Sequence, residues 1–155
     1  MSVCKALLLE GIDDAAAEAF IAAGIEVESR PGSLSSEELN QALQGVSVLG
    51  IRSKTKVSAE VIDQHPDLLA IGCFCIGTDQ VASKEAGRSG VAVFNSPFSN
   101  TRSVAELTIA EIVVLHRKLF DRSRDLHAGH WLKSAKGAHE IRGRTLGLVG
   151  YGHIG

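Results

Sequence analysis

Short apolar runs alternate with helix-forming stretches along the chain, and nearly every change is marked by a glycine, a proline or a capping residue. The apolar runs are residues 3–9, 46–51, 68–71 and 91–94, and residues 25–28 alternate apolar with charged, as in a half-exposed strand. Between them, Asp13 and Asp14 can cap a helix over 15–23 that stops at Gly24. Ser35 or Ser36 can cap one over 37–43 that ends at Gly45. A short helix over 58–64 ends before Pro66, and one over 79–89 is stopped by Gly90. These are ordinary start and stop signals. Strands alternating with helices predict an α/β fold, a parallel sheet covered on both faces. Right-handed crossovers put every strand's carboxyl end on one edge. Glu10-Gly11 and residues 52–55, 72–77 and 95–100 should gather there, and open α/β sheets bind ligands along that edge. Residues 1–99 are therefore expected to form one unit, with a boundary at 99–103 where the chain leaves it.

Residues 100–155 have a different texture. Ser103-Val-Ala-Glu106 matches a capping box. Residues 104–115 are apolar on nearly every side, which predicts burial between layers or domains. The helix is expected to run on, more polar, toward Leu126. After a loop through Gly129, Trp131 and Gly137 comes an apolar run, 146–149, read as a buried parallel strand. Gly150-Tyr-Gly152-His-Ile-Gly155 follows it at once and fits G-x-G-x-x-G. In a dinucleotide-binding unit the first glycine makes the tight turn. The second lets the backbone approach a pyrophosphate, and the third lets the next helix pack close to the strand. The phosphates then sit on that helix's N-terminal amides. The plainer reading is a glycine-rich strand-to-helix turn. The sequence stops at the third glycine, before the helix and before the acid that would hold the ribose about 20 residues on. The chain is accordingly expected to be the front part of a longer enzyme.

Composition narrows the function classes. A 45% apolar and 22% charged chain fits a soluble globular protein. A net charge of −2 gives no basic footprint for nucleic acid, so an anionic substrate needs a local cluster of cations. No apolar run approaches the roughly 18 residues of a membrane span. The N-terminal MSVCKALLLEG is too short in apolar content for a signal peptide. Three cysteines, Cys4, Cys73 and Cys75, without an export signal fit a reducing cytoplasm.

Several groups could do chemistry. Arg52-Ser53-Lys54 offers two cations and a hydroxyl at a strand's carboxyl end, and an arginine fork suits carboxylate or phosphate. The alternative is a solvated loop. The loop 72–77 could hold a carboxylate on consecutive amides, or it could be a tight turn with buried thiols. Cys73 and Cys75 have no second cysteine pair or histidine at zinc spacing and are expected to be buried and inert. Glu106 and Glu111 interrupt the apolar helix, and an ion pair with Arg102 or a domain-bridging bond is the structural expectation. His153 is expected to face solvent or a cofactor, not to act as a base, and His65 is expected at the surface. A phosphoacceptor receiver would need an aspartate after the third strand, where Arg52 stands.

With these motifs placed, the chain resembles the D-isomer-specific 2-hydroxyacid dehydrogenases. The resemblance is carried by Gly50-Ile-Arg-Ser-Lys-Thr55, Ala70-Ile-Gly-Cys-Phe-Cys-Ile-Gly-Thr78, Pro97-Phe-Ser-Asn-Thr-Arg-Ser-Val-Ala-Glu106 and Leu146-Gly-Leu-Val-Gly-Tyr-Gly-His-Ile-Gly155. Gly-Cys-Phe-Cys-Ile-Gly narrows it to the subgroup that begins serine biosynthesis. The resemblance implies a flavodoxin-like, parallel-sheet substrate domain over 1–99, followed by the start of a Rossmann NAD-binding domain over 100–155. It implies NAD-dependent oxidation of 3-phosphoglycerate to 3-phosphohydroxypyruvate, by a cytoplasmic homo-oligomer when complete. By resemblance, Arg52 and Ser53 face the substrate's anionic groups, with Lys54 nearby. The backbone of Cys75, Ile76 and Gly77 approaches the substrate carboxylate and the nicotinamide. Asn100 lines the cleft. Gly150, Gly152 and Gly155 form the glycine loop, and His153 and Ile154 lie against the dinucleotide phosphates. The family's histidine base, its glutamate and its carboxylate-binding arginine lie beyond Gly155, so no catalytic residue is assigned and this chain alone is expected to be inactive. Other readings are a sensing module for NAD(H) or a metabolite on the same fold, a dehydrogenase for another small 2-hydroxy acid, and a fragment that pairs with a full-length subunit.

Overall fold

The computed structural model describes residues 4–155, so Val3, the first residue of the first expected strand, lies outside the described residues. The chain divides into two compact units, Met1–Ser99 and Asn100–Gly155.

The first unit alternates strictly. Its elements are β1 (Lys5–Leu8), α1 (Asp14–Ala22), β2 (Glu26–Ser29), α2 (Ser36–Ala42), β3 (Val48–Ile51), α3 (Ala59–Gln64), β4 (Ala70–Cys73), α4 (Ser83–Arg88) and β5 (Ala92–Asn95). The strands form one parallel sheet in the order β2-β1-β3-β4-β5. That is the flavodoxin-like order, whose switch point lies between β1 and β3. Capping chemistry starts the helices where polar residues stand before apolar stretches. Asp13 Oδ1 accepts from the Ala15 amide at 2.9 Å. Ser35 and Glu38 close a reciprocal capping box ahead of α2, and Ser58 accepts from Val61 ahead of α3. Gly24 and Gly45, both at positive φ, follow the ends of α1 and α2.

One sheet face presents Leu7, Leu49, Ile51, Ile71 and Cys73 to Leu39 of α2 and Leu43 at its C-terminal cap, Val61 and Ile62 of α3, and Ala86 of α4. This is the core, and its members are at most a few per cent exposed. The opposite face carries Leu8, Gly50 and Gly72 side by side in register. β4 runs two residues further than the sequence reading placed it, because Gly72 and Cys73 pair with Gly50 and Ile51.

α4 is also shorter than the expected helix over 79–89. Val57 and Val81 form a parallel bridge, with Val57 N–H donating to Gln80 O at 2.8 Å and Ala82 N–H to Val57 O at 2.9 Å. Two buried valines thus pull residues 80–82 into extended pairing before the helix can begin.

His65 is buried, against the surface position expected for it; it is 5% exposed. It caps α3 and turns inward, where its Nε2 lies 3.2 Å from Asn40 Oδ1 of α2. Burial lowers its pKa from the ordinary 6.5. The neutral ring is the folded form, so its contribution is complete above about pH 6.5 and is lost as pH falls below that value. We expect the urea midpoint to decline from pH 7 to pH 5, and His65→Gln to flatten that decline. An unchanged slope in the variant would refute this role.

The second unit holds α5 (Thr101–His116) and α6 (Leu119–His127). The helices are separated at Lys118, whose φ of 53° breaks the expected continuous helix. α5 begins two residues before the predicted capping box. Ser103 Oγ donates to Asn100 O, and Glu106 pairs with Arg102 at 3.0 Å, so the serine and glutamate do not cap each other. The ion pair itself agrees with the sequence reading. Burial of 104–115 does not: no residue of α5 is buried, and Leu107, Ile109 and Leu115 are mostly exposed. The run 146–149 is likewise neither a strand nor buried. All five strands belong to the first unit, so this run has no ladder partner among the described residues, and a lone strand leaves its backbone groups unpaired. Among the described residues no helix is long and apolar enough to cross a membrane.

Candidate functional site at the sheet switch point

At the carboxyl end of the sheet, the loops after β1 and β3 separate around a shallow cavity of about 350 Å³. Gly11, Ile12, Asp13, Arg52 and Phe74 line it. The aromatic wall follows from two glycines. A Cβ built on Gly50 would come within 3.2 Å of Phe74 Cε2, and one on Gly72 within 3.3 Å of the same atom. The ring thus lies over a slot that only glycines on β3 and β4 leave open.

The loop of Arg52, Ser53 and Lys54 is held by its backbone, which leaves its side chains exposed. Glu10 supplies one hold. The residue is 9% exposed, and its carboxylate accepts from Lys54 N–H at 3.0 Å and Thr55 N–H at 2.8 Å. Burial alone would raise its pKa, but the hydrogen bonds from Thr55, Lys54 and Arg52 outweigh it and hold the carboxyl below its ordinary 4.5. The buried Thr55 hydroxyl adds to this pull without meeting hydrogen-bond geometry in the structure. Glu10 sits at φ 63°, beside Gly11 at 62°. Two successive left-handed residues turn the chain so that this carboxylate points back at the β3 loop. Neither Glu10's role nor its partner is visible in the sequence, because the two amides lie 44 and 45 residues away.

The second loop, after β4, is tied on both sides. Phe74 N–H donates to Ile51 O, Ser96 N–H to Cys75 O, and Asn95 Nδ2 to Ile76 O at 2.8 Å. Cys75 Sγ lies 3.2 Å from Gly77 O and 3.5 Å from Arg52 O. With these carbonyls engaged, the N–H groups of Ile76 and Gly77 have no acceptor among the described residues, the condition an amide nest needs. Of the two thiols, Cys73 is buried and pushed up to about 11 by that burial and by Cys75. It is an inert core thiol. Cys75 is only partly buried and belongs to the loop's hydrogen bonding.

The structure therefore brings Arg52, Cys75 and Gly77 together, with Ser53, Lys54 and Ile76 on the same two loops. Asn100, Gly150, Gly152, His153, Ile154 and Gly155 belong to the second unit. Asn100 precedes the first turn of α5. Gly150 adopts φ +93°, and the loop curls until a Cβ on Gly155 would lie 2.9 Å from Gly150 O. Gly152 has open space around it, so a ligand backbone or phosphate could approach there. His153 and Ile154 are exposed.

The comparisons with known proteins decide the family. Residues 6–149 match the D-isomer specific 2-hydroxyacid dehydrogenase catalytic domain. The chain belongs to this family. It is 55% identical over 151 residues to the D-3-phosphoglycerate dehydrogenase of Dictyostelium discoideum, covering 97% of this chain and 37% of that protein. To the D-3-phosphoglycerate dehydrogenase of Escherichia coli K12 it is 46% identical over 152 residues, again 97% and 37%. The chain thus spans little more than a third of the length of these 2-hydroxyacid dehydrogenases. Among solved structures, the TT0316 protein of Thermus thermophilus superposes with a TM-score of 0.88 at 28% identity, over 97% of this chain and 50% of that one. An NAD-dependent formate dehydrogenase from Staphylococcus aureus, solved with NAD, shares the fold at a TM-score of 0.80 and 23% identity, over 97% and 50%.

Proposed function

We propose that this 2-hydroxyacid dehydrogenase chain belongs to an NAD-dependent D-3-phosphoglycerate dehydrogenase, acting in serine biosynthesis as a homo-oligomer. The observation that carries the reading is 46–55% identity to D-3-phosphoglycerate dehydrogenases over at least 96% of the chain. The first unit is then the substrate domain and the second the beginning of the nucleotide domain.

In this reading Arg52, Ser53 and Lys54 receive the anionic groups of 3-phosphoglycerate. Three donors on one loop suit a substrate with two anionic ends, and the guanidinium gives a planar fork to one of them. The free amides of the loop after β4 hold the carboxylate and keep C2 in a fixed orientation. Asn100 lines the cleft. The glycine loop fits a dinucleotide at Gly150, whose φ favours glycine, and at Gly152, which leaves room for a phosphate; His153 and Ile154 flank it. When bound, NAD supplies the hydride acceptor. The described residues bind and orient; the proton transfer requires a base that this site does not contain.

The test is turnover by the protein purified from its native source, with its intact mass measured on the same sample. NADH formation with 3-phosphoglycerate, and little with D-lactate or D-glycerate, is the expected result. Preference for an unphosphorylated 2-hydroxy acid would replace the substrate, and NAD(H) binding without turnover of any hydroxy acid would favour a sensor.

A further inference from the structure

Arg52 and the amides after β4 belong to different loops, and one side chain from the stretch between β4 and α4 bridges them. Gln80 Nε2 donates to Arg52 O at 2.7 Å and reaches Gly77 O at 3.4 Å and Cys75 Sγ at 3.3 Å. We infer that Gln80 is a positioning residue for the substrate cleft, locking the anion loop after β3 to the amide loop after β4. The inference rests on the functional reading above, which makes these two loops the substrate's contacts.

The anchor is rigid. Gln80 O accepts from Val57, Val81 N–H donates to Thr78 O at 3.0 Å, and the flanking Val57 and Val81 are 1% and 6% exposed. The side chain therefore leaves a fixed backbone and reaches back to the cleft. Its two amide hydrogens are suited to two carbonyls, one from each loop. Cys75 Sγ, which also lies within reach of both carbonyls, cannot replace it: a thiol has a single weak donor. The opposite side of the anion loop is held by Glu10, so loss of Gln80 frees one side and leaves the loop attached. Two amide hydrogen bonds are involved, so the expected change is roughly tenfold, or about 1.4 kcal/mol.

The experiment is steady-state kinetics on the full-length enzyme carrying Gln80→Leu, which keeps bulk and removes both donors, and Gln80→Glu, which keeps shape and replaces donors with acceptors. Both variants are expected to raise KM for 3-phosphoglycerate about tenfold, with kcat changed less than about twofold and the thermal midpoint within a few degrees of wild type. A merely structural role would move the midpoint and leave KM alone. Unchanged KM in either folded variant, beside an active wild type, overturns the inference by itself. A wild-type enzyme that ignores 3-phosphoglycerate overturns the functional reading and the inference with it.

Discussion

Gly50→Val is expected to destabilise the first unit by about 3 kcal/mol, the upper part of the range for overpacking a filled core. A Cβ at Gly50 would stand 2.6 Å from Leu8 Cδ2, 3.1 Å from Ile12 Cδ1 and 3.2 Å from Phe74 Cε2. Leu8 cannot move aside, because it is 1% exposed and its strand is paired on both sides. Valine adds two methyl groups to this crowd. The change should also displace Phe74 from its slot and so deform the wall of the cavity beside Arg52. Urea denaturation followed by far-UV circular dichroism measures the first effect. The control is Gly87→Ala, at an exposed position of α4 with nothing within 4 Å of its Cβ position. There alanine should be neutral or stabilising by up to about 1 kcal/mol. A wild-type midpoint for Gly50→Val would mean that the close approach at β3 is not a constraint.

If the proposed function holds, Arg52→Ala is expected to raise KM for 3-phosphoglycerate roughly 10- to 150-fold in the full-length enzyme, with KM for NAD and thermal stability little changed. A hydrogen bond to a charged group contributes about 1.5–3 kcal/mol, and each 1.36 kcal/mol is about tenfold. The side chain is exposed and makes no ion pair among the described residues. Removing it should therefore spare the fold, because the loop is fixed through backbone atoms. Arg52→Lys should recover part of the loss, since an ammonium keeps the charge but not the planar fork. Full activity in Arg52→Ala, at every 3-phosphoglycerate concentration, would remove this residue from the substrate's contacts.

The alternation of apolar runs and capped helices made the parallel, flavodoxin-like sheet legible, because period and punctuation are local signals. Asp13, Ser35 and Ser58 cap helices within three residues of themselves, and the sequence marks the first two directly, whereas Ser58 reads as part of the helix that it caps. The misreadings are tertiary. His65 reads as a surface residue because a residue before proline marks a helix end; the partner it turns toward, Asn40, belongs to another helix. The run 146–149 has the composition of a strand, but a strand exists only with a ladder partner. Residues 79–82 look helical until Val57, distant in sequence, pairs with Val81. The same holds at the site. Arg52 stands out by type and position, whereas Glu10 and Gln80 act on backbone groups 28 to 45 residues away, and no local pattern marks them.

The two margins of the sheet are unlike in a way that bears on self-association. β2 carries Glu26 and Glu28, and Glu28 is held between Lys5 and Arg30 at 2.8 and 2.7 Å. Such an ion-paired rim resists another strand, which would have to strip charge from water. β5, at the other margin, reads Ala-Val-Phe-Asn, carries no charge and leaves Phe94 64% exposed. Strand addition to this fold, whether in domain swapping or in aggregation, is therefore expected to nucleate along β5, and a single lysine placed on its outward side would act as a gatekeeper.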